Sequence, residues 1–473
     1  MSAAPTVVAT TPPAGATVLP LKSVMTATFS EAMSCGTINA ETFSVSAGGA
    51  AIGGTIAYAG GTATFTPDDI LTGGVTYTAR LSVDIRDATG TPLASDYTWT
   101  FTPPFPQFAY VTNKTEDSVS VYWIDRTTGR LYHRNDVGLE LGQAPHSPVS
   151  LSVGPSGAYA YVGNFDSNSV TTFSIDPDTG ALTERETVSG VVHGPQSMVV
   201  ESTGHFAYVA NYNSNDVAMF SISQTGVLTP LLIGMGTATV PAGRQPSSLA
   251  IDPTGTYVYV ANFATSNMTT FSIDGGGAQT PGALTTIGGA IGAGVSPRSV
   301  AVDPKGPFVY VADHNPNATG DVANAVTTVT MFRIKQSPDP NPGTLQLIGT
   351  VTVASASTGS APESIVVDPS GRFVYVADSG VHAVIPYSID QTTGALTAVL
   401  TGTGAGAAVG VGEQPIAVTV DPTGQFAYVI DALSNTMTTF SIDQSTGELT
   451  AVGLPVATGI APSSMVIVDR HSS

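Results

Sequence analysis

The stretch FAYVANYNSNDVAMFSI, residues 206–222, decides the fold because it is one of seven near-copies. Tyr208 and Val209 belong to one run of small, aromatic and β-branched residues. Asn211 to Asn215 form a polar turn, and Val217 to Ile222 make a second run, the pattern of two antiparallel strands. Tyr110, Tyr161, Tyr208, Tyr259, Tyr310, Tyr375 and Tyr428 each precede a valine, about 47 to 65 residues apart. Two residues after each valine stands Asn or Asp, at Asn113, Asn164, Asn211, Asn262, Asp313, Asp378 and Asp431. A strand ending near Phe-Ser-Ile-Asp, a Thr-Gly-x-Leu turn and one more strand usually follow.

Every copy but the first is preceded by a segment of the type Pro-x-Ser-apolar-x-apolar-Asp-Pro-x-Gly, as in PSSLAIDPTG (246–255) and PESIVVDPSG (362–371). Each unit therefore holds four short strands, and a unit of this kind buries its faces only against its neighbours, which predicts a β-propeller of seven blades. The last Pro-x-Ser strand, PSSMVIVD (462–469), has no Tyr-Val copy after it, and the first copy has no such strand before it. The C-terminus is thus expected to complete blade one and close the ring, leaving no exposed sheet edge.

Outside the repeat the periodicity changes. Residues 1–103 read as about seven short alternating strands, among them Met25–Phe29, Thr62–Phe65 and Tyr97–Phe101, separated by Gly and Pro clusters, the rhythm of a β-sandwich. Clustered prolines in PPFPQ (103–107) end this region, so residues 104–107 are expected to be a stiff linker and 108–473 the propeller. The whole chain is expected to be all-β. Its 51 glycines and 33 prolines, and charged residues at only 11%, agree with that class.

Fifteen basic against 35 acidic residues give a net charge of -20, which repels phosphate backbones and anionic lipid. The partners left open are a small molecule, a glycan or a protein, with self-association possible, and neither nucleic acid nor membrane insertion is expected. The one cysteine, Cys35, forms no intrachain disulfide and is expected to be a small buried hydrophobe. The start MSAAPTVV lacks the basic and apolar segments of a signal peptide.

Repetition sorts structural residues from functional ones. The Asp-Pro-x-Gly turns recur, and the serines at 150, 197, 248, 299, 364 and 464 stand in nearly every blade, so both are read as architecture. Near the axis a small side chain that bonds a neighbouring backbone fits best. The residue between proline and serine varies instead, as Val149, Gln196, Ser247, Arg298, Glu363, Ile416 and Ser463. Arg298, Glu363 and Gln196 are therefore the candidate ligand-binding residues, and Arg298 with Glu363, in consecutive blades, also fits a salt bridge across adjoining inner strands. His146 and His193 stand just before inner strands and are candidate bases. The longest interruption, DHNPNATGDVANA (313–325), offers Asp313, Asn315, Asn317 and Asp321 as oxygens for Ca²⁺, although Ala318 and Asn324 replace the Gly and Glu of a calcium loop. Apart from that weak Ca²⁺ loop, no cofactor is expected.

Two resemblances follow from these residues. PPAG, TFSEAM (28–33), FTP (65–67), TYT (76–78) and YTWTF (97–101) together resemble the bacterial Ig-like domain of secreted and surface proteins. Residues 108–470 resemble the lactonase-type, 6-phosphogluconolactonase-like seven-bladed family and equally the surface-layer repeat named for Tyr-Val-Thr-Asn, which stands at Tyr110 to Asn113. The lactonase resemblance implies Arg, His and Glu at the channel, from a Gly-Pro-Arg-His strand start and an Asn-Glu after its partner strand. The best match, SPRSVAVDPKGPFVYVADH (296–314), keeps Arg298, with Ser299 in the place of the His and His314 in the place of the Glu. On these grounds the leading expectation is a non-enzymatic binding or scaffold protein, secreted or at the cell surface. The alternative is a lactonase-like hydrolase with Arg298 holding an anionic group and His146, His193 or His314 as base.

Overall fold

The computed structural model describes residues 4–141, 144–234, 236–276, 280–314, 327–353, 360–399 and 408–469. The chain is all-β; among the described residues the only helical element is a single 3₁₀ turn, Cys35–Thr37. It divides into two compact units, one of Met1–Gln107 with Ile124–Thr128, the other of Phe108–Trp123 with Gly129–Ser473.

The first unit holds two four-stranded sheets. One pairs Val7–Thr11, Met25–Phe29, Thr62–Pro67 and Gly54–Ala59 in that order, the other Ala50–Ala51, Phe43–Ala47, Tyr77–Leu81 and Tyr97–Phe101. Alternation puts Met25, Ala27 and Phe29 of one sheet and Phe43, Trp99 and Phe101 of the other into a single apolar cluster. Pro103 accepts the Gly74 N–H, which binds the proline segment to its own unit. Cys35 departs from expectation. It opens the 3₁₀ turn and is exposed, because that turn buries none of its residues.

The second unit is a propeller-like array of seven sheets. Blade five shows the pattern: an inner strand Pro297–Val302, then Phe308–Asp313, Thr328–Ile334 and the outer Leu345–Thr352, all antiparallel. Its second strand is wholly buried, whereas the outer strand is buried only in part. The inner strand of blade one is the last strand of the chain, Pro462–Val468, which pairs with Gln107–Asn113.

The apolar clusters lie between blades. Tyr208, Val217 and Met219 of blade three pack with Leu249, Val258 and Phe271 of blade four, so neither sheet has a core without its neighbour. The tyrosine of every repeat locks this contact. Tyr110 donates its hydroxyl to the Gly180 carbonyl of the next blade, and Tyr161, Tyr208, Tyr259, Tyr310 and Tyr375 reach Gly226, Gly282, Gly343, Gly394 and Gly447 in the same way. Tyr428 of blade seven reaches Gly129 of blade one. Burial raises the phenol pKa of Tyr161, Tyr208, Tyr259, Tyr310 and Tyr375 well above its ordinary value, so they remain neutral donors.

The repeated serines do what a crowded axis asks. Ser197, Ser248, Ser299 and Ser364 each accept a backbone N–H of the next inner strand, from Leu249, Val300, Ile365 and Val418, at 3.2–3.3 Å. Ser299 is therefore engaged in architecture.

Candidate functional site

Each inner strand carries a β-bulge at one place. In blade five Pro297 pairs with Asp313 and Ser299 with Ala312, so Arg298 is the extra residue, and the same shift occurs at the corresponding residue of the other six blades. A bulge re-aims its side chain. Here the variable residues Val149, Gln196, Ser247, Arg298, Glu363, Ile416 and Ser463 all line one cavity of about 380 Å³ at the inner strands.

A second set of positions, of which Lys114 and Ala432 line that cavity, lies beside the starts of the inner strands. The residue after each Asn or Asp donates its backbone N–H to the carbonyl of the residue just before an inner-strand proline. Lys114 donates to Ala461, Phe165 to Ser147, Tyr212 to Gly194, Phe263 to Gln245, His314 to Ser296, Ser379 to Ala361 and Ala432 to Gln414. The fold thus fixes seven backbone positions while leaving their side chains free to differ.

Arg298, Glu363 and His314 meet where these two sets adjoin. Arg298 Nε lies 2.9 Å from Glu363 Oε2, and His314 Nδ1 lies 3.3 Å from Glu363 Oε1. Ser379 Oγ stands 3.4 Å from the same Oε1, and the Arg298 guanidinium sits 5.3 Å over the Phe263 ring. Burial pushes the Glu363 carboxyl up, but His314 and Arg298 outweigh it and hold the group below the usual carboxylate range. Glu363 is therefore an anion that faces both the Arg298 guanidinium and the His314 ring. The His314 Nδ1 contact with the carboxylate is electrostatic rather than a formed hydrogen bond, while the terminal nitrogens of Arg298, a side chain 35% exposed, remain for a ligand.

The other sequence-derived candidates lie as follows. Gln196 lines the cavity. His146 is buried, 3% exposed, outside the cavity lining; its Nε2 lies 3.1 Å from the Leu141 carbonyl and its Nδ1 3.7 Å from Asp117. His193 is exposed, two residues before Pro195, with its backbone N–H given to Asn211 Oδ1. Asp313 turns into its sheet, where Oδ2 accepts the hydroxyls of Thr328 and Thr330; burial pushes its carboxyl up to about 7. Asn315, Asn317 and Asp321 lie outside the described residues. Among the described residues no three His, Cys, Asp or Glu side chains form a group fit for a metal ion, and no helix is long and apolar enough to cross a membrane.

Two features escaped the sequence reading. His314 was weighed as a base without its partner, because its link to Glu363 crosses from one blade to the next. Lys114, Phe165, Tyr212 and Phe263 carry no motif of their own along the chain. Their signal is positional: all follow the Asn or Asp that ends the second strand.

Comparison with known proteins agrees with the fold. The profile of the bacterial Ig-like domain matches residues 1–103. The profile described as "Lactonase, 7-bladed beta-propeller" matches residues 101–192, 192–320 and 323–466. A 6-phosphogluconolactonase of Yersinia pestis (strain Pestoides F) is 25% identical over 210 residues, 44% of this chain and 56% of the relative. That of Serratia proteamaculans is 25% identical over 217 residues, 45% and 59%. The aligned part thus spans little more than half the length of these curated relatives. The solved periplasmic gluconolactonase of Pseudomonas aeruginosa superposes with a TM-score of 0.60 at 20% identity, covering 77% of this chain and 99% of that one. These likenesses favour a lactonase-like protein over the binding scaffold. With most of its length matched by one profile, the chain belongs to the lactonase family of seven-bladed β-propellers.

Proposed function

We propose that this protein hydrolyses a lactone at the mouth of its central cavity, that its seven blades form a closed ring, and that the residues preceding them in the chain fold as an Ig-like sandwich. The observation that carries the proposal is the convergence of Arg298, Glu363 and His314 beside a cavity of about 380 Å³. Arg, His and Glu are the residue types that the family resemblance implies, with His314 and Glu363 contributed from different positions.

In this reading Glu363 holds His314 by Nδ1, and Nε2 takes a proton from water as its oxygen bonds to the lactone carbonyl carbon. Arg298 faces the carbonyl oxygen as it becomes an oxyanion. The ring C–O bond then breaks, and the alkoxide leaving group takes the proton back from His314. One water is consumed and one hydroxy acid is released. No metal enters these steps.

A panel of aldonolactones and simple esters, followed by acid release, tests the proposal. Wild-type protein is expected to open at least one lactone above the spontaneous rate, and Arg298→Ala to lower kcat/KM by about 10²-fold or more, the loss typical of one oxyanion donor. Turnover unaffected by that substitution would place the chemistry elsewhere. The Ig-like match and the periplasmic gluconolactonase support a location outside the cytoplasm.

A further inference from the structure

We infer that the mouth carries a second subsite, an aromatic arc running away from Arg298, which takes a neutral sugar ring. Resting on the lactonase reading, this makes the substrate the lactone of a disaccharide or longer sugar rather than of a single one.

The seven positions of this second set share one backbone hydrogen bond, yet three consecutive blades place aromatic side chains there: Phe165, Tyr212 and Phe263. Lysine, serine and alanine serve at the equivalent positions of blades one, six and seven, so the fold does not require a ring. All three aromatics are half-buried. Breaking the repeat in this way keeps large apolar faces partly in water, which costs free energy unless something covers them.

The blade-four member of the arc touches the reacting group. Phe165 and Tyr212 have ring centroids 6.1 Å apart at 58°, and Phe263 at the other end lies under the Arg298 guanidinium at 5.3 Å. A lactone carbonyl held at Arg298 would fill only that end. The faces of Tyr212 and Phe165 would then meet whatever is attached to it.

Polar groups beside the arc define the attachment. Gln196, on the bulge of blade three, lines the cavity, and among the described residues its amide makes no hydrogen bond. The Asn213 amide lies against Gly194, where a Cβ would approach its Nδ2 to 2.4 Å. An alkyl or aryl substituent would bury these amides without partners, a cost of roughly 1–3 kcal/mol each. A sugar ring offers C–H faces to aromatic rings and hydroxyls to amides at once.

Calorimetric titration with ring-opened aldonates tests the subsite without needing turnover. Wild-type protein is expected to bind a disaccharide aldonate at least tenfold more tightly than gluconate. The double substitution Phe165→Ala/Tyr212→Ala should abolish that advantage and leave gluconate affinity and the thermal transition unchanged. Phe165→Tyr should keep it. Equal affinity for the two aldonates, or an advantage that survives the double substitution, overturns the inference. So does tighter binding of an aryl carboxylate through the same residues. If the arc-dependent preference appears and no lactone is opened, the sugar subsite stands and the hydrolase reading fails. Opening of gluconolactone without the preference does the reverse.

Discussion

Asp313 stands where the first four blades have asparagine, and that single difference has a physical consequence. Asn113 and Asn164 donate their amides to hydroxyls of the third strand, at Ser118 and Ser120 and at Ser169 and Thr171. Asp313 must accept from Thr328 and Thr330 in the same pocket, with its Oδ1 left without a partner. Burial therefore raises its pKa from 3.8 to about 7, and that of Asp431 in the same role to about 6. The folded state keeps the Asp313 proton up to about pH 7, whereas the unfolded chain releases it near 3.8. Folding thus takes up a proton between those values, and stability falls as pH rises through this window. Asp313→Asn is predicted to raise stability at pH 8 by on the order of 1–3 kcal/mol and to change it much less at pH 5, read from urea unfolding at both pH values. The alternation of Asn and Asp is plain in the sequence. Its effect is not, because burial decides which form is stable, and burial comes from the neighbouring strands.

The blade, as an element, was the most legible part of the chain. Tyr-Val, Asn or Asp, and Pro-x-Ser mark its strands, and the structure has all seven sheets in the expected antiparallel order. The bulge was not legible, since no residue in Pro-x-Ser announces it; only the pairing of Pro297 with Asp313 and Ser299 with Ala312 does. The inter-blade lock was half legible. The Gly-x-Leu turn could be read, at Gly343 after a proline, but not that Gly343 has φ +86° and that a Cβ there would lie 2.1 Å from the Tyr257 ring. Gly343→Ala is therefore predicted to cost roughly 2–4 kcal/mol, the sum of a left-handed backbone penalty and an overpacked contact. Gly190 shares a positive φ, +88°, but has nothing within 4 Å of its Cβ, so Gly190→Ala is predicted to cost only about 1 kcal/mol. Comparable losses at both positions in urea melts would remove the lock from the account.

At the scale of the whole molecule, the repeat tells where chemistry is absent and its exceptions tell where it lies. Arg298 and Glu363 stand out in the sequence because they interrupt a seven-fold pattern, and their place in consecutive blades predicts the salt bridge that they form. His314 departs from the family arrangement along the chain, because a motif compared in sequence keeps each residue on its own strand. In three dimensions the histidine of blade five meets the carboxylate of blade six, so the three residue types gather by a different route. A net charge of -20 surrounds a mouth where Lys114 and Arg298 line the cavity and Glu363 is already engaged, a field suited to drawing an electron-rich carbonyl inward. The most direct test is the initial rate of acid release from an aldonolactone by wild-type protein and by His314→Gln at saturating substrate. The account predicts a kcat lowered about 10²–10⁴-fold with KM changed little, the signature of a lost general base. An unchanged kcat would contradict it.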